Sequence, residues 1–343
     1  MTTSTVLILI TAFLFTMTLS GIILRFAGKL KLIDIPNERS SHSIPVPRGG
    51  GIAIACVFLA LLPSLPVENI VSLNLTYAIF GSGVIIALLG FMDDRSHIPA
   101  YNRLVIHFLA AIWVIYFLFM YSNPPLAASG DLYWWTFTLL LIISLVWLLN
   151  LYNFMDGIDA ITGSETISVS LCASLLTWQT APGDPSWIIL LLLASAVAGF
   201  LVWNLPPAKL FMGDSGSAFL GIVLGCLMIY STLISSQLFY AWLILLGVYI
   251  VDANVTLIRR ILAGQKFYEA HRSHAYQHAA KRYHSHGKVS LAVVIINLLW
   301  LLPIATSVTL GLLDGPFAIA IAYLPLIWVS LYFKAGNSHV SAT

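Results

Sequence analysis

An all-α, polytopic integral membrane protein is the fold class the sequence predicts, with about eleven transmembrane helices, the N-terminus outside and the C-terminus cytoplasmic. Three observations predict it. Of 343 residues, 59% are hydrophobic and only 9% charged, and the mean hydropathy is +0.92; soluble domains carry roughly 25% charged residues. Apolar runs long enough to span, about 17–25 residues each, recur from one end of the chain to the other. If every run crosses the membrane, all 16 Lys and Arg residues fall on one side.

The runs lie near residues 5–27, 49–66, 71–91, 102–121, 133–152, 161–180, 186–203, 216–234, 237–258, 289–310 and 315–333. No Lys or Arg precedes the first, from Val6 to Phe26, so it reads as a retained span and not a cleaved signal peptide. The second is short. The segments 25–48, 92–103, 153–160, 204–215, 259–288 and the tail from Lys334 hold every basic residue. The opposite connections carry Glu68, Asp131, Asp184 and Asp314, and no base. The basic side is therefore cytoplasmic. Residues 1–343 form a single transmembrane domain, with cytoplasmic loops near 28–48, 92–101, 153–160, 204–215 and 259–288 and no visible repeat. Trp134, Trp135 and Trp187 fit interfacial anchors at the outer ends of their spans. Cys56, Cys172 and Cys226 all lie inside apolar runs, which suggests neither a disulfide framework nor a metal cluster. A net charge of +2 gives no support to a nucleic-acid partner.

The chemistry gathers on the cytoplasmic face. Asn153-Phe154-Met155-Asp156-Gly157-Ile158-Asp159 joins two apolar runs, and acids at membrane depth are costly enough that function is the default reading. Its bland alternative is a helix cap at Asp156 and a break at Gly157. Asp93 and Asp94 are adjacent carboxylates that need a proton or a cation between them; the alternative is a solvated loop paired with Arg95. Gly213-Asp214-Ser215-Gly216 opens a helix, where backbone N–H groups favour phosphate, unless Asp214 is simply an N-cap. Carboxylates in a partly dry cleft suit Mg²⁺, which usually takes one or two of them plus substrate phosphate. Asn204-Leu205-Pro206-Pro207 ends the seventh span in a bent loop, and Phe211 is a membrane anchor or a stacking surface.

Basic groups complete the set. Arg39, His42 and Arg48 lie in a Pro- and Gly-rich loop that ends in Gly49-Gly50-Gly51, with the Arg side chains available to phosphate oxygens. His271, His274 and His278 form one stripe if their segment is helical. Arg259, Arg260, Arg272, Lys281 and Arg282 surround them and serve phosphate contacts or anionic lipid. Asp252 pairs along its own helix with Thr256 and Arg259, while His107 and Glu165 are packing or pairing residues. The residues alone imply a membrane-edge, cytoplasm-facing site for phosphoryl transfer between an amphiphile and a phosphorylated substrate, with Mg²⁺.

These motifs together resemble the polyprenyl-phosphate N-acetylhexosamine-1-phosphate transferase superfamily over essentially the whole chain. The resemblance rests on Arg39-Ser-Ser-His42…Pro47-Arg48-Gly-Gly-Gly, Asp93-Asp94, Asn153-x-x-Asp156-Gly-x-Asp159, Phe211-Met-Gly-Asp214-Ser-Gly, and Asp252 with Arg259-Arg260. It implies a bacterial plasma-membrane enzyme with its site on the cytoplasmic face. In it undecaprenyl phosphate attacks the β-phosphate of a UDP-N-acetylhexosamine, giving the lipid diphosphosugar and UMP. By that resemblance Asp93, Asp94 and Asp214 are catalytic, and Asp214 with Asp94 holds Mg²⁺, for which Mn²⁺ can substitute. Arg48, Asn153, Asp156, Asp159, Asn204, Phe211, His274 and His278 bind substrate, and a homodimer is compatible. Many members carry His-x-His-His where this chain has His271-Arg272-Ser273-His274-Ala275-Tyr276-Gln277-His278, so only His274 and His278 match. The pattern looks like the O-antigen-initiating branch, with UDP-GlcNAc, UDP-FucNAc or UDP-QuiNAc as donor, and not the muramoyl-pentapeptide branch.

Two rivals are weighed. A transporter of phosphorylated or anionic metabolites suits intramembrane acids, but the polar groups collect on one face and no inverted repeat is visible. A CDP-alcohol phosphotransferase also uses membrane-edge aspartates around Asp-Gly, yet Asp156-Gly157 lacks the Ala-Arg and spaced Gly and Asp residues that follow there.

Overall fold

The computed structural model describes residues 2–36, 44–65, 70–96, 98–120, 132–265 and 272–337. Glu38, Arg39, His42, Glu68, Asp131 and His271 lie outside the described residues. Helix α1 (Thr3–Leu30) leads to β1 (Ile33–Asp34), which pairs antiparallel with β2 (Val46–Pro47). Then come α2 (Gly50–Leu61), α3 (Ile70–Arg95), α4 (Ala100–Ile115), α5 (Leu132–Met155), α6 (Ile161–Thr180), α7 (Ser186–Asn204) and α8 (Asp214–Ile234). After them follow α9 (Ser236–Leu245), α10 (Gly247–Leu262), α11 (Ala275–Tyr283), α12 (His286–Ile296), α13 (Leu302–Thr309) and α14 (Gly315–Tyr332).

Each of the eleven apolar runs contains helix, and among the described residues 8 helices are long and apolar enough to cross a membrane, or 9 if α9 and α10 form one span bent by 64°. The difference from eleven has a physical cause at each place. The second run gives only the short apolar helix Gly50–Ser64. The sixth, α6, is 20 residues long but carries Thr162, Glu165, Thr166, Ser168, Ser170 and Ser174, all buried by neighbouring helices.

Helix α8 is the centre: 83% of its apolar stretch is buried, against 22% for α1 and 28% for α14. Small residues make this approach close. A Cβ on Gly221 would stand 2.7 Å from the Leu149 Cα of α5, and one on Gly51 only 2.0 Å from the Gly216 Cα. A Cβ on Gly90 would meet the Ser215 backbone at 2.5 Å. The N-termini of α2 and α8 and the C-terminus of α3 therefore touch backbone to backbone. The segment before α8 is held beside β2, because Phe211 donates to the Pro47 carbonyl (2.8 Å) and accepts from the Gly50 N–H (2.9 Å). Trp134, expected as an anchor, turns inward against Phe119, whereas Trp135 is exposed.

Candidate functional site

Where α3 ends against α8, two adjacent aspartates point to different work. Both oxygens of the buried Asp94 accept backbone N–H groups, from Asp214 at 3.0 Å and Ser215 at 3.2 Å. Asp94 thus fills the anion position at the N-terminus of α8 that Gly213-Asp214-Ser215-Gly216 was expected to offer a phosphate. Gly213 is required by that contact: its φ is +76° and a Cβ there would stand 2.6 Å from the Asp94 carboxylate. Arg48 donates to the Asp94 main-chain carbonyl and lies 3.9 Å from its carboxylate and 4.0 Å from Asp34. The expected metal ligand Asp94 thus anchors the start of α8, and Arg48 braces the same corner.

Asp93 faces the other way. Its Oδ1 accepts the Ile98 N–H at 2.7 Å, and its Oδ2 meets Nη1 of Arg103 at 2.6 Å. The same Nη1 lies 3.0 Å from Asp214 Oδ2, so one cationic nitrogen meets both carboxylates, which also hydrogen-bond to each other. Asn153 sits beside Asp214 and donates to Ser217 Oγ at 3.2 Å. Among the described residues no set of three or more His, Cys, Asp or Glu is arranged to hold a metal. The pair Asp93 and Asp214 fits Mg²⁺ nonetheless, since Arg103 is a stand-in cation meeting both and this ion needs few protein carboxylates.

These residues form the head of a groove of about 370 Å³ between α3, α4 and α5. Its walls are apolar, with Ile86, Leu89, Leu104, Phe108, Val146 and Trp147, and its end is polar, with Asp93, Arg103, Asn153 and Asp214. His107 lines it too, 3.5 Å from Asn150.

A second, more polar cleft of about 920 Å³ is lined by Ile158, Asp159, Arg272, His278, Lys281, His284 and His286 among others. Asp156 is half-buried, and desolvation pushes its carboxyl up to about 7 despite a hydrogen bond with Thr162; the charges of Asp94 and Asp159 push the same way. Asp159 Oδ2 accepts the Ala208 N–H (3.1 Å) and lies 3.2 Å from Nδ1 of His286. Gly157 is needed because a Cβ there would meet the Tyr276 hydroxyl at 2.2 Å, and that hydroxyl donates to the Phe154 carbonyl (3.0 Å).

Several expected ligands make structural contacts. Asn204 is buried, and its amide accepts from the Ala160 N–H (2.9 Å) and donates to the Leu210 carbonyl (2.9 Å). Ala160 lies at φ +66°, a left-handed conformation that a non-glycine residue adopts only when held there. His274 is buried with Nδ1 at 3.2 Å from Asp252, and it precedes α11 as its N-cap, so the expected histidine stripe is broken. Asp252 does pair with Thr256 (3.1 Å), but its other partners are the N–H groups of Ala275 (3.0 Å) and Tyr276 (2.9 Å). Arg259 goes to the Ala335 carbonyl (2.7 Å) and Asn337 (3.2 Å), not to Asp252. His278 lines the polar cleft, and Phe211 is half-buried with its backbone fixed. Glu165 pairs with Asn297 at 2.6 Å, as a packing residue would.

Arg103, His286 and Tyr276 were missed by sequence reasoning. Arg103 had a signal, since an aspartate pair at a membrane edge requires a nearby cation. His286 and Tyr276 had none, the first being 127 residues from Asp159 and the second's hydroxyl 122 residues from its acceptor at Phe154.

The model of glycosyl transferase family 4 matches residues 76–232, which contain Asp93, Asp94, Asn153, Asp156, Asp159 and Asp214. A Bacillus subtilis protein named "Probable undecaprenyl-phosphate N-acetylglucosaminyl 1-phosphate transferase" is 29% identical over 297 residues, covering 85% of this chain and 81% of that one. An undecaprenyl-phosphate alpha-N-acetylglucosaminyl 1-phosphate transferase of Thermotoga maritima is 27% identical, covering 82% of this chain and 84% of that one. A phospho-N-acetylmuramoyl-pentapeptide-transferase of Oceanobacillus iheyensis is 26% identical, with coverage of 76% and 83%. Both the N-acetylglucosaminyl and the muramoyl-pentapeptide branches are thus represented.

Proposed function

The chain belongs to the polyprenyl-phosphate N-acetylhexosamine-1-phosphate transferase superfamily, and on that premise we propose that it transfers an N-acetylhexosamine-1-phosphate from a UDP-sugar to undecaprenyl phosphate. UMP is released, and the product initiates O-antigen or a related cell-surface polysaccharide. UDP-GlcNAc, UDP-FucNAc and UDP-QuiNAc are the donors proposed, at the cytoplasmic face of a bacterial plasma membrane. The observation that carries this is that residues 153–159 line two cavities of different character. One is an apolar groove ending in Asp93, Arg103 and Asp214; the other is a cleft rich in Arg, Lys and His. A long-chain phosphate matches the first, and a water-soluble nucleotide diphosphate matches the second.

In the reaction a lipid phosphate oxygen bonds to the β-phosphorus while the bond from that phosphorus to the oxygen bridging the two phosphates breaks, and UMP leaves with that oxygen. The lipid phosphate has a second pKa of about 6, so it enters already largely ionised and no literal base is required. The apolar walls orient the polyprenyl chain, and Asp93 and Asp214 mark where its phosphate stops. Arg103 screens these carboxylates and has the donors to meet a phosphate oxygen. Mg²⁺, or Mn²⁺ in its place, would be held by Asp93 and Asp214 and would supply neutralisation of phosphate charge. Arg272, His278 and Lys281 suit the diphosphate of the donor.

The test is UMP release by purified protein given undecaprenyl phosphate, Mg²⁺ and a panel of UDP-N-acetylhexosamines. UMP is expected only when lipid phosphate and metal are both present. Folded protein that releases none with any donor overturns the proposal.

A further inference from the structure

After α14 the chain turns back and inserts residues 333–337 between α10, α11 and the segment preceding α11. Arg259, in the last turn of α10, donates to the Ala335 carbonyl at 2.7 Å and to Asn337 Oδ1 at 3.2 Å. The Gly336 N–H donates to the Ser273 carbonyl at 2.7 Å, and Ala335 is fully buried. Gly336 has φ +82°, and a Cβ there would stand 2.8 Å from the Arg259 Cβ and 3.1 Å from the Thr256 carbonyl oxygen. Only glycine fits this position without displacement. On the α11 side, the Phe333 ring packs edge-on to Tyr283, and the Phe333 carbonyl lies 2.7 Å from Nδ1 of His278. A carbonyl can only accept, so Nδ1 carries the proton and Nε2 is the ring nitrogen left for the polar cleft that His278 lines.

We propose that residues 333–337 are a positioning strap for the donor cleft, which fixes the His278 tautomer and seats α11 against α10 without touching substrate. The proposal rests on the polar cleft being the nucleotide-sugar site. Its geometry is independent of the groove that takes the lipid.

The experiment compares Gly336→Ala with Gly311→Ala in the full-length protein. Gly311 also lies at positive φ (+71°), but no atom stands within 4 Å of its Cβ position, so it controls for backbone strain alone. Arg259→Gln loosens the strap by a second route should Gly336→Ala fail to fold. Gly336→Ala and Arg259→Gln should raise the KM for the UDP-sugar about tenfold, with kcat and the KM for lipid phosphate within about twofold, and Gly311→Ala should alter neither KM. In ¹⁵N-histidine-labelled protein, the Nδ1–H signal that disappears in His278→Gln should also disappear in Gly336→Ala. A folded Gly336→Ala protein that keeps both the donor KM and the tautomer signal overturns the proposal. If the wild-type protein releases no UMP, the transferase reading falls by itself. The tautomer signal then decides the strap: its loss in Gly336→Ala supports it and its persistence overturns it.

Discussion

Asp94 and Asp252 are set against the starts of α8 and α11 in the same way, and Asp93 with Asp214 forms a contrasting pair. Each of the first two is a buried carboxylate whose two oxygens receive the first N–H groups of another helix, 120 residues on for Asp94 and 23 for Asp252. Those donors are backbone and cannot move aside. Asp93 Oδ2 and Asp214 Oδ2 instead share a single side-chain nitrogen, that of Arg103, and border a groove. A guanidinium on a flexible stem can swing away and yield its place to a cation or a phosphate. Acids that look alike in a motif therefore differ in whether both oxygens are held by backbone, as in Asp94 and Asp252, or one meets an exchangeable side chain at the groove, as in Asp93.

The largest effect should come from the exchangeable pair. Asp214→Asn is expected to lower UMP release by about 10³-fold while the thermal unfolding midpoint stays near that of the wild type. Retention of a tenth or more of the activity would break the contrast. Next is the fixed class: Asp252→Ala leaves the N–H groups of Ala275 and Tyr276 without an acceptor and should cost about 3 kcal/mol of stability in denaturant titration. An unchanged titration would show that the α11 cap is not needed for the fold. Arg103→Gln should reduce turnover by about 10- to 100-fold with little loss of stability, read from kcat and the KM for lipid phosphate.

The smallest effect sharpens the boundary between the two classes at Asp156, whose carboxyl is pushed up to about 7. A carboxyl raised on folding contributes stability below its unfolded pKa, and that contribution is lost as pH rises through the folded value. From about pH 6 to about pH 8 the wild type should lose roughly 1 kcal/mol relative to Asp156→Asn, after allowance for partial exposure. Parallel stability curves for the two proteins would show that Asp156 keeps an ordinary carboxylate pKa in the fold.

The site was legible where cost alone gives it away. Carboxylates beside apolar runs are rare, so Asp93, Asp94, Asp156, Asp159 and Asp214 stood out before any contact was known. Which member of Asp93-Asp94 faces the groove was not legible, because successive residues on a helix diverge by about 100° and the direction of α8 is needed to choose. Asn204 and His274 looked like ligands for a similar reason: an amide or an imidazole bound to backbone or carboxylate inside the protein has the same sequence signature as one bound to substrate. The glycines of Gly213-Asp214-Ser215-Gly216 suggested an approach to phosphate, but the approach they permit is that of Asp94 and of neighbouring helices.

By itself the sequence determined that this chain is built of apolar helices and that its polar chemistry gathers in a few loops, because hydropathy and charge are properties of each segment alone. Only the tertiary structure decided that Asp94 caps α8 from 120 residues away, that Arg103 meets both Asp93 and Asp214, and that the C-terminal strap reaches His278. Hydrogen-bond partners are chosen by proximity in space, and every one of these groups could have satisfied itself elsewhere in a different packing of the same helices.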